Sequence, residues 1–317
     1  FFFPHLPHRT NASFVRCGGE KMGGGSSKIK YRVGNREFQV GRVLGKGAFG
    51  KVHCIRENNT EKMFALKILE KNFVLQKSKN TINSLLQEKE MLTMFSHPFV
   101  VNLLASTQDE EKLYLVLDLK LGGDLAFHLP EHGWKEESTI QFYMANLLIG
   151  LQYLHSKKVI HRDVKPGNIL LDEHGYAAWT DFNLSTMIGS EGFLTRNCGT
   201  PLYEAPEVYL KGPYDLRADY WSLGVMMFEM MFGRVPWWTK DNELRKDIEF
   251  FEGELPDHLK KVGDQPRSLH RAILAEKLPP LPSNSFSQPC KDFLNLLCSP
   301  QATRLQDFQQ AKEHPFF

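Results

Sequence analysis

The run Gly45-Lys46-Gly47-Ala48-Phe49-Gly50-Lys51-Val52 has the spacing G-x-G-x-x-G-x-V, and a strand-like segment, Lys51–Glu57, follows it where a helix could have stood. That order constrains the fold more than any other feature. A dinucleotide-binding fold needs its glycines to open a helix, so this run reads as a loop between two strands. Glycines there let backbone approach phosphates where a Cβ would block it. Short runs rich in Val, Leu and aromatics, with a period near two, recur from Phe38 to Leu117. One helical stretch, residues 81–95, interrupts them, with Leu85, Leu86, Met91 and Leu92 at helical spacing. From Gly122 onward the chain is mainly helical, as in residues 140–156 and 216–233. The Gly122-Gly123 pair breaks regular structure and suggests a hinge. The expected division is an N-terminal extension over 1–37, a small lobe over 38–118 and a large lobe over 119–317. Residues 239–289, charged and then rich in Pro and Ser, read as a variable loop-helix region.

Charge excludes one class of partner. Thirty-nine basic residues against 37 acidic ones give +2, with no dense basic stripe, so nucleic acid is not expected. The five cysteines are widely spaced with no C-x-x-C pair, which argues against a disulfide framework or zinc cage and for a reducing, cytoplasmic setting. No apolar run approaches the ~20 residues of a spanning helix. Met22-Gly23-Gly24-Gly25-Ser26-Ser27 fits the N-myristoylation pattern, with Gly23 as acceptor if Met22 is the initiator. A flexible Gly/Ser linker is the other reading. One acyl chain anchors weakly, so Lys28, Lys30 and Arg32 would have to assist, and membrane contact would be partial.

Several residues form a chemical set. Lys67 follows the glycine run on a neighbouring strand, placed to hold α and β phosphates, with Val52 packing on the base. It needs a carboxylate to fix its rotamer; Glu88 shares the helix face of Leu85 and Leu92, which favours it over Glu90. Within Ile160–Leu171, Asp163 would accept or orient a hydroxyl proton, Lys165 would neutralise γ-phosphate charge, and Asn168 would hold a metal. Asp181 follows eighteen residues after Asp163 as a second metal ligand. An aspartate alone is more often a cap or turn residue. Phosphoryl transfer, however, needs positioning and charge neutralisation more than covalent chemistry, and this set supplies both. Arg162 provides a cation beside the activation segment. Thr200 could bridge Asp163 and Lys165, Glu207 pairs with Arg304 in this reading, and Asp219 supports the turn around Arg162.

Taken in this order, the motifs resemble the eukaryotic protein kinase superfamily over about residues 38–317. Lys165 and the segment Gly199–Glu207 resemble serine/threonine rather than tyrosine kinases. Residues 96–104, 117–125 and 198–201 are similar to the AGC group. Asp181-Phe182-Asn183, with the flanking phrases and the Met22-Gly23 start, most resembles its YANK (serine/threonine kinase 32 type) subfamily. The resemblance implies an α+β, two-lobed fold: a five-stranded antiparallel small lobe with one helix, hinged to a helical large lobe. It implies ATP in the cleft with Mg2+, for which Mn2+ could substitute, protein substrates phosphorylated on Ser or Thr, and a monomer. Leu44, Gly45, Lys46, Gly47, Ala48, Phe49, Gly50 and Val52 would cover the nucleotide. Ala65 and Leu170 would sandwich the base, Leu117 would be the gatekeeper, Asp118 and Lys120 would offer hinge backbone groups, and Asp124 would reach the ribose.

Departures from the family pattern carry expectations of their own. Asn183 replaces a glycine, and Asn tolerates a left-handed backbone better than most residues. Gly167 stands where many basophilic AGC kinases carry an acid, so an arginine preference is not implied. Glu204 replaces an apolar residue of the pocket for the residue after the phosphoacceptor, which should disfavour large apolar residues there. Arg196 occupies the usual place of the activating threonine, with Thr195 one residue away. Either Thr195 is phosphorylated and pairs with Arg162, or Arg196 leaves the loop ordered without phosphate. The competing class is a pseudokinase scaffold, which would be expected to lose Lys67, Asp163, Asn168 or Asp181; only Asn183 supports it. A small-molecule kinase is a third reading, against which stands the peptide shelf built by Glu207, Asp219 and Arg304.

Overall fold

A computed structural model of the chain describes residues 14–17, 30–33, 36–47, 50–71, 88–236, 278–281 and 286–317. The chain divides into two compact units, Phe1–Leu121 and Gly122–Phe317.

The first unit is built on one antiparallel sheet. Its strands are β1 (Phe14–Cys17), β2 (Lys30–Val33), β3 (Arg36–Gly47), β4 (Gly50–Glu57), β5 (Met63–Glu70), β6 (Leu103–Gln108) and β7 (Lys112–Asp118), in the order β1-β2-β3-β4-β5-β7-β6. Seven strands replace the expected five, because the segment read as an extension supplies β1 and β2. Sequence gives the reason: Tyr31 lies between the charged Lys30 and Arg32, so one face of β2 buries an aromatic while Arg32 stays exposed. The Tyr31 ring lies 5.8 Å from that of Tyr114 and packs on the cluster Phe38, Ile55, Leu66, Tyr114 and Val116. Residues 88–94 are helical, with Met91 and Leu92 buried. Leu85 and Leu86 lie outside the described residues, as do Gly23 and Ser27 of the acylation pattern and most of the 239–289 region.

Helices dominate the second unit. After β8 (Gly123–Asp124) come α1 (Leu125–His128), α2 (Glu137–Ser156), β9 (Val159–Ile160), β10 (Ile169–Leu171), β11 (Ala177–Trp179) and β12 (Thr186–Met187). Then follow α3 (Pro206–Tyr209), α4 (Arg217–Phe232), α5 (Gln288–Leu297) and α6 (Phe308–Lys312). Strand β10 pairs antiparallel with β8 and β11, and β9 pairs with β12. Helix α4 is buried almost all round, as its run of Val, Met, Phe and Trp requires. It packs against the end of α5 through Gly224, where a Cβ would meet Leu297 Cβ and Cys298 Sγ at 2.8 and 2.6 Å. Among the described residues no helix is long and apolar enough to cross a membrane, and Cys54, Cys198, Cys290 and Cys298 are free thiols.

One ion pair ties the C-terminal part of this unit to α3. Arg304, fully buried, donates to Glu207 through Nη1 (2.5 Å) and Nη2 (3.0 Å). Its remaining donors reach the Ser299 and Arg217 carbonyls at 3.0 and 3.1 Å, and the guanidinium lies 5.1 Å from the Trp221 ring centre.

Candidate active site

In the first unit, β3 and β4 run antiparallel up to the pair Gly47 and Gly50, so the glycine run turns between two strands. Ala48 and Phe49 at its tip lie outside the described residues. The glycines are not equivalent. Gly45 faces open space, whereas a Cβ on Gly50 would collide with the Ile68 carbonyl of β5. Close strand approach therefore demands the glycine at 50, apart from any ligand. Ahead of the turn, register shifts between Val40 and Gly45 kink β3 and leave Val43 and Leu44 exposed.

Strand β5 carries Lys67 opposite Val52 on β4 and Leu115 on β7. Its Nζ donates to Glu88 Oε1 at 2.7 Å; Glu88 is buried, and Glu90, two residues on, is exposed. The second Glu88 oxygen, Oε2, is buried and has no hydrogen-bond partner. Ala65, also buried, stands in register with Leu117. Asp118 is occupied: its N–H donates to the Asn102 carbonyl at 3.0 Å, and its carboxylate accepts from Asn102 Nδ2 at 2.6 Å. Lys120 is partly buried.

In the second unit, three predicted residues meet around Asp163. Lys165 Nζ donates to Asp163 Oδ2 at 2.8 Å and to Thr200 Oγ1 at 2.8 Å, and Thr200 donates to Asp163 Oδ1 at 2.6 Å. Asn168 Nδ2 donates to Asp163 Oδ2 and to its backbone carbonyl, each at 2.8 Å. Both Asn168 bonds run from Nδ2, so Oδ1 is the atom that can face a cation. Burial pushes the Asp163 carboxyl up, but the Lys165 and Thr200 hydrogen bonds outweigh it and hold the group below the usual carboxylate range. Asp163 is therefore an anion at neutral pH.

Asp181 reaches the same end of the β10–β11 hairpin, because Thr180 N–H donates to the Asn168 carbonyl at 3.0 Å. The unusual backbone falls on Asp181 itself (φ 62°), and Asn183 is not at positive φ. The residue that replaces glycine thus meets no left-handed requirement. Phe182, buried, lies with its ring 5.2 Å from that of His161. Leu170 pairs with Asp124 across β10 and β8, and Asp124 Oδ1 accepts from Phe127 N–H at 2.9 Å as the cap of α1. One oxygen of the residue assigned to the ribose is thereby committed to a helix cap.

The turn that carries Asp163 is held from beneath. Asp219 Oδ2 accepts from His161 N–H (2.8 Å) and His155 Nε2 (2.9 Å), and Oδ1 accepts from Arg162 N–H (2.9 Å). Arg162 sits at φ 67°, a conformation that costs about 1–2 kcal/mol outside glycine and needs such anchoring. Burial pushes the Asp219 carboxyl up, while its bond to His155 and the two histidine charges bring it below its ordinary value. A depressed folded-state value contributes stability above the unfolded value of about 3.9, lost as pH falls through the folded one. Thermal unfolding followed from about pH 5 downward should therefore lose stability steeply in the native chain and less steeply in Asp219→Asn; parallel acid limbs would remove Asp219 from that role.

Sequence reading missed a second, half-buried pair. Tyr203 Oη donates to Glu229 Oε2 at 2.5 Å, and Ser222 Oγ donates to the Tyr203 carbonyl at 2.7 Å. The available signal was Glu229 itself, a single acid inside the apolar run 220–232. Nearby, Glu204 is 8% exposed. Burial pushes its carboxyl up and the Asp163 charge adds to that, against a hydrogen bond with Asn197.

Comparison with known proteins agrees with this arrangement. The protein kinase domain family matches residues 38–317. The chain is 38% identical over 300 residues to Serine/threonine-protein kinase sgk-1 of Caenorhabditis elegans, covering 92% of this chain and 58% of that protein. It is 42% identical over 205 residues to mouse Serine/threonine-protein kinase 32C (63% and 42% covered) and 40% identical over 205 residues to human Serine/threonine-protein kinase 32B (63% and 49% covered). The chain thus spans about half the length of these relatives. The resemblance to AGC-like serine/threonine kinases, the kinase 32 type among them, is supported by these matches. With its strand-borne Lys67–Glu88 pair and its Asp163 cluster on the expected fold, the chain belongs to the protein kinase domain family.

Proposed function

We propose that the chain transfers the γ-phosphate of ATP to serine or threonine hydroxyls of protein substrates. One observation carries this reading: the Asp163 carboxylate is ionised and only partly saturated. Oδ2 accepts from both Lys165 and Asn168, whereas Oδ1 accepts from Thr200 alone. A substrate hydroxyl has Oδ1 as its open acceptor, where its proton can be oriented and received as the oxygen attacks phosphorus. Lys165 lies beside that oxygen to offset charge on the transferring group, and Lys67, fixed by Glu88, holds the nonreacting phosphates.

The donor set suits a hard divalent cation. Asp181 offers a carboxylate and Asn168 an amide oxygen, and among the described residues no group of three or more His, Cys, Asp or Glu could hold a metal alone. Magnesium takes one or two carboxylates together with substrate phosphates, and manganese accepts the same oxygens. When bound, the ion screens phosphate charge. A monomer in the cytoplasm, with weak membrane contact if Gly23 is acylated, belongs to the same reading.

A degenerate peptide library incubated with the chain, ATP and Mg2+ tests it, with phosphosites located by mass spectrometry. Phosphate is expected on Ser and Thr, not Tyr. Phe and Leu should be depleted at the next position, because the buried Glu204 carboxyl makes that pocket polar. A library left unphosphorylated sinks the proposal, and enrichment of Phe or Leu sinks the Glu204 part alone.

A further inference from the structure

The exposed segment after β12 is fastened to Tyr214 in two ways. Leu194 and Tyr214 exchange two backbone hydrogen bonds, 2.8 Å from Leu194 N–H and 2.9 Å from Tyr214 N–H. Two residues on, the Tyr214 hydroxyl donates to the Arg196 carbonyl at 2.5 Å. The same oxygen accepts from Arg162 Nη1 at 3.4 Å, while Arg162 Nε donates to the Leu184 carbonyl at 2.6 Å. Tyr214 is 1% exposed. One phenol thus links the segment, through a main-chain oxygen, to the residue directly before Asp163.

Thr195 stands differently. It is exposed, and its hydroxyl makes no hydrogen bond among the described residues. Arg162 already gives Nε to the Leu184 carbonyl and one Nη1 hydrogen to Tyr214, so its guanidinium is anchored without a phosphate. The Arg196 side chain is also exposed, so the backbone carbonyl at 196, and not the guanidinium, is what fastens the loop.

We infer that the Tyr214 hydroxyl, rather than a phosphate on Thr195, holds the 194–198 segment and Arg162 in place, which makes Tyr214 a positioning residue for phosphoryl transfer. The inference rests on the kinase reading above for its consequence and on geometry alone for its mechanism. Protonation is consistent with it: burial pushes the phenol up, outweighing the opposing pull of Arg162, so the hydroxyl keeps the proton it donates. A hydroxyl has one proton to give and lone pairs to receive, and here both uses are filled.

The test compares the full chain, its phosphatase-treated form, Thr195→Ala and Tyr214→Phe. Phosphatase treatment and Thr195→Ala should leave peptide phosphorylation within about twofold. Tyr214→Phe keeps the ring and the backbone pairing but strands a carbonyl, so peptide kcat/KM should fall about tenfold with the KM for ATP unchanged. Trypsin supplies a second readout, because it cuts after Arg196, at the very carbonyl that Tyr214 holds; cleavage there should be about tenfold faster in Tyr214→Phe at an unchanged thermal midpoint. A tenfold loss on phosphatase treatment, or equal cleavage rates at Arg196, overturns the inference. The trypsin arm needs no phosphoryl transfer, so a chain inactive on every peptide would sink the kinase reading and still decide this one.

Discussion

Asp163→Asn is expected to lower phosphate transfer from γ-labelled ATP to a generic basic protein by about 10²- to 10⁴-fold, the range a positioned proton acceptor supplies. The loss has two parts. The negative charge at the open Oδ1 acceptor disappears, and the new amide brings two N–H donors into a site already occupied by donors. Lys165, Asn168 and Thr200 all point hydrogen at Asp163, so at least one must turn away from an asparagine. Nucleotide binding should survive, because the Lys67–Glu88 pair is made within the first unit. Equal background signal from both proteins would instead mark the fold as a scaffold.

Removing Arg304 should produce the largest loss of stability. In Arg304→Met the hydrophobic stem is replaced, but the Glu207 carboxylate and the Ser299 and Arg217 carbonyls lose their donors together. Breaking one side of a buried pair costs about 3–5 kcal/mol, which for a unit of this size is on the order of 10 °C in the thermal midpoint. Glu207→Gln, which keeps an acceptor for the guanidinium, should cost less, and the double variant should fall short of the sum because both changes act on one interaction. Strict additivity across that cycle, read by calorimetry, would show that the pair contributes nothing as a pair.

What was legible in the sequence was the chemistry with a fixed local frame. Lys67 and Glu88 could be matched because a strand following a glycine turn and a helix face restrict where two side chains point. Asp163, Lys165 and Asn168 fall within six residues, so one turn brings them together. Gly50 was read correctly as a required glycine but for a different constraint, the nearness of β5. Less visible were groups whose partner is main chain. Tyr214 on the Arg196 carbonyl and Asp124 on the Phe127 N–H leave no periodic trace, since a backbone partner carries no residue type. The pairing of β1 and β2 was hidden because the Gly/Ser stretch between them looked like a linker, and four-residue strands carry too few alternations to stand out.

That pairing has a consequence for how the molecule meets its neighbours. Strand β3 is twelve residues long, and β2 saturates the outward-facing amides of its first part. A shortened chain beginning at Arg36 would present those amides bare, an open template onto which another copy's strand could register. The segment ahead of the kinase domain therefore acts as a selvage: it covers the start of a twelve-residue strand and leaves the four-residue β1 outermost, a much shorter template.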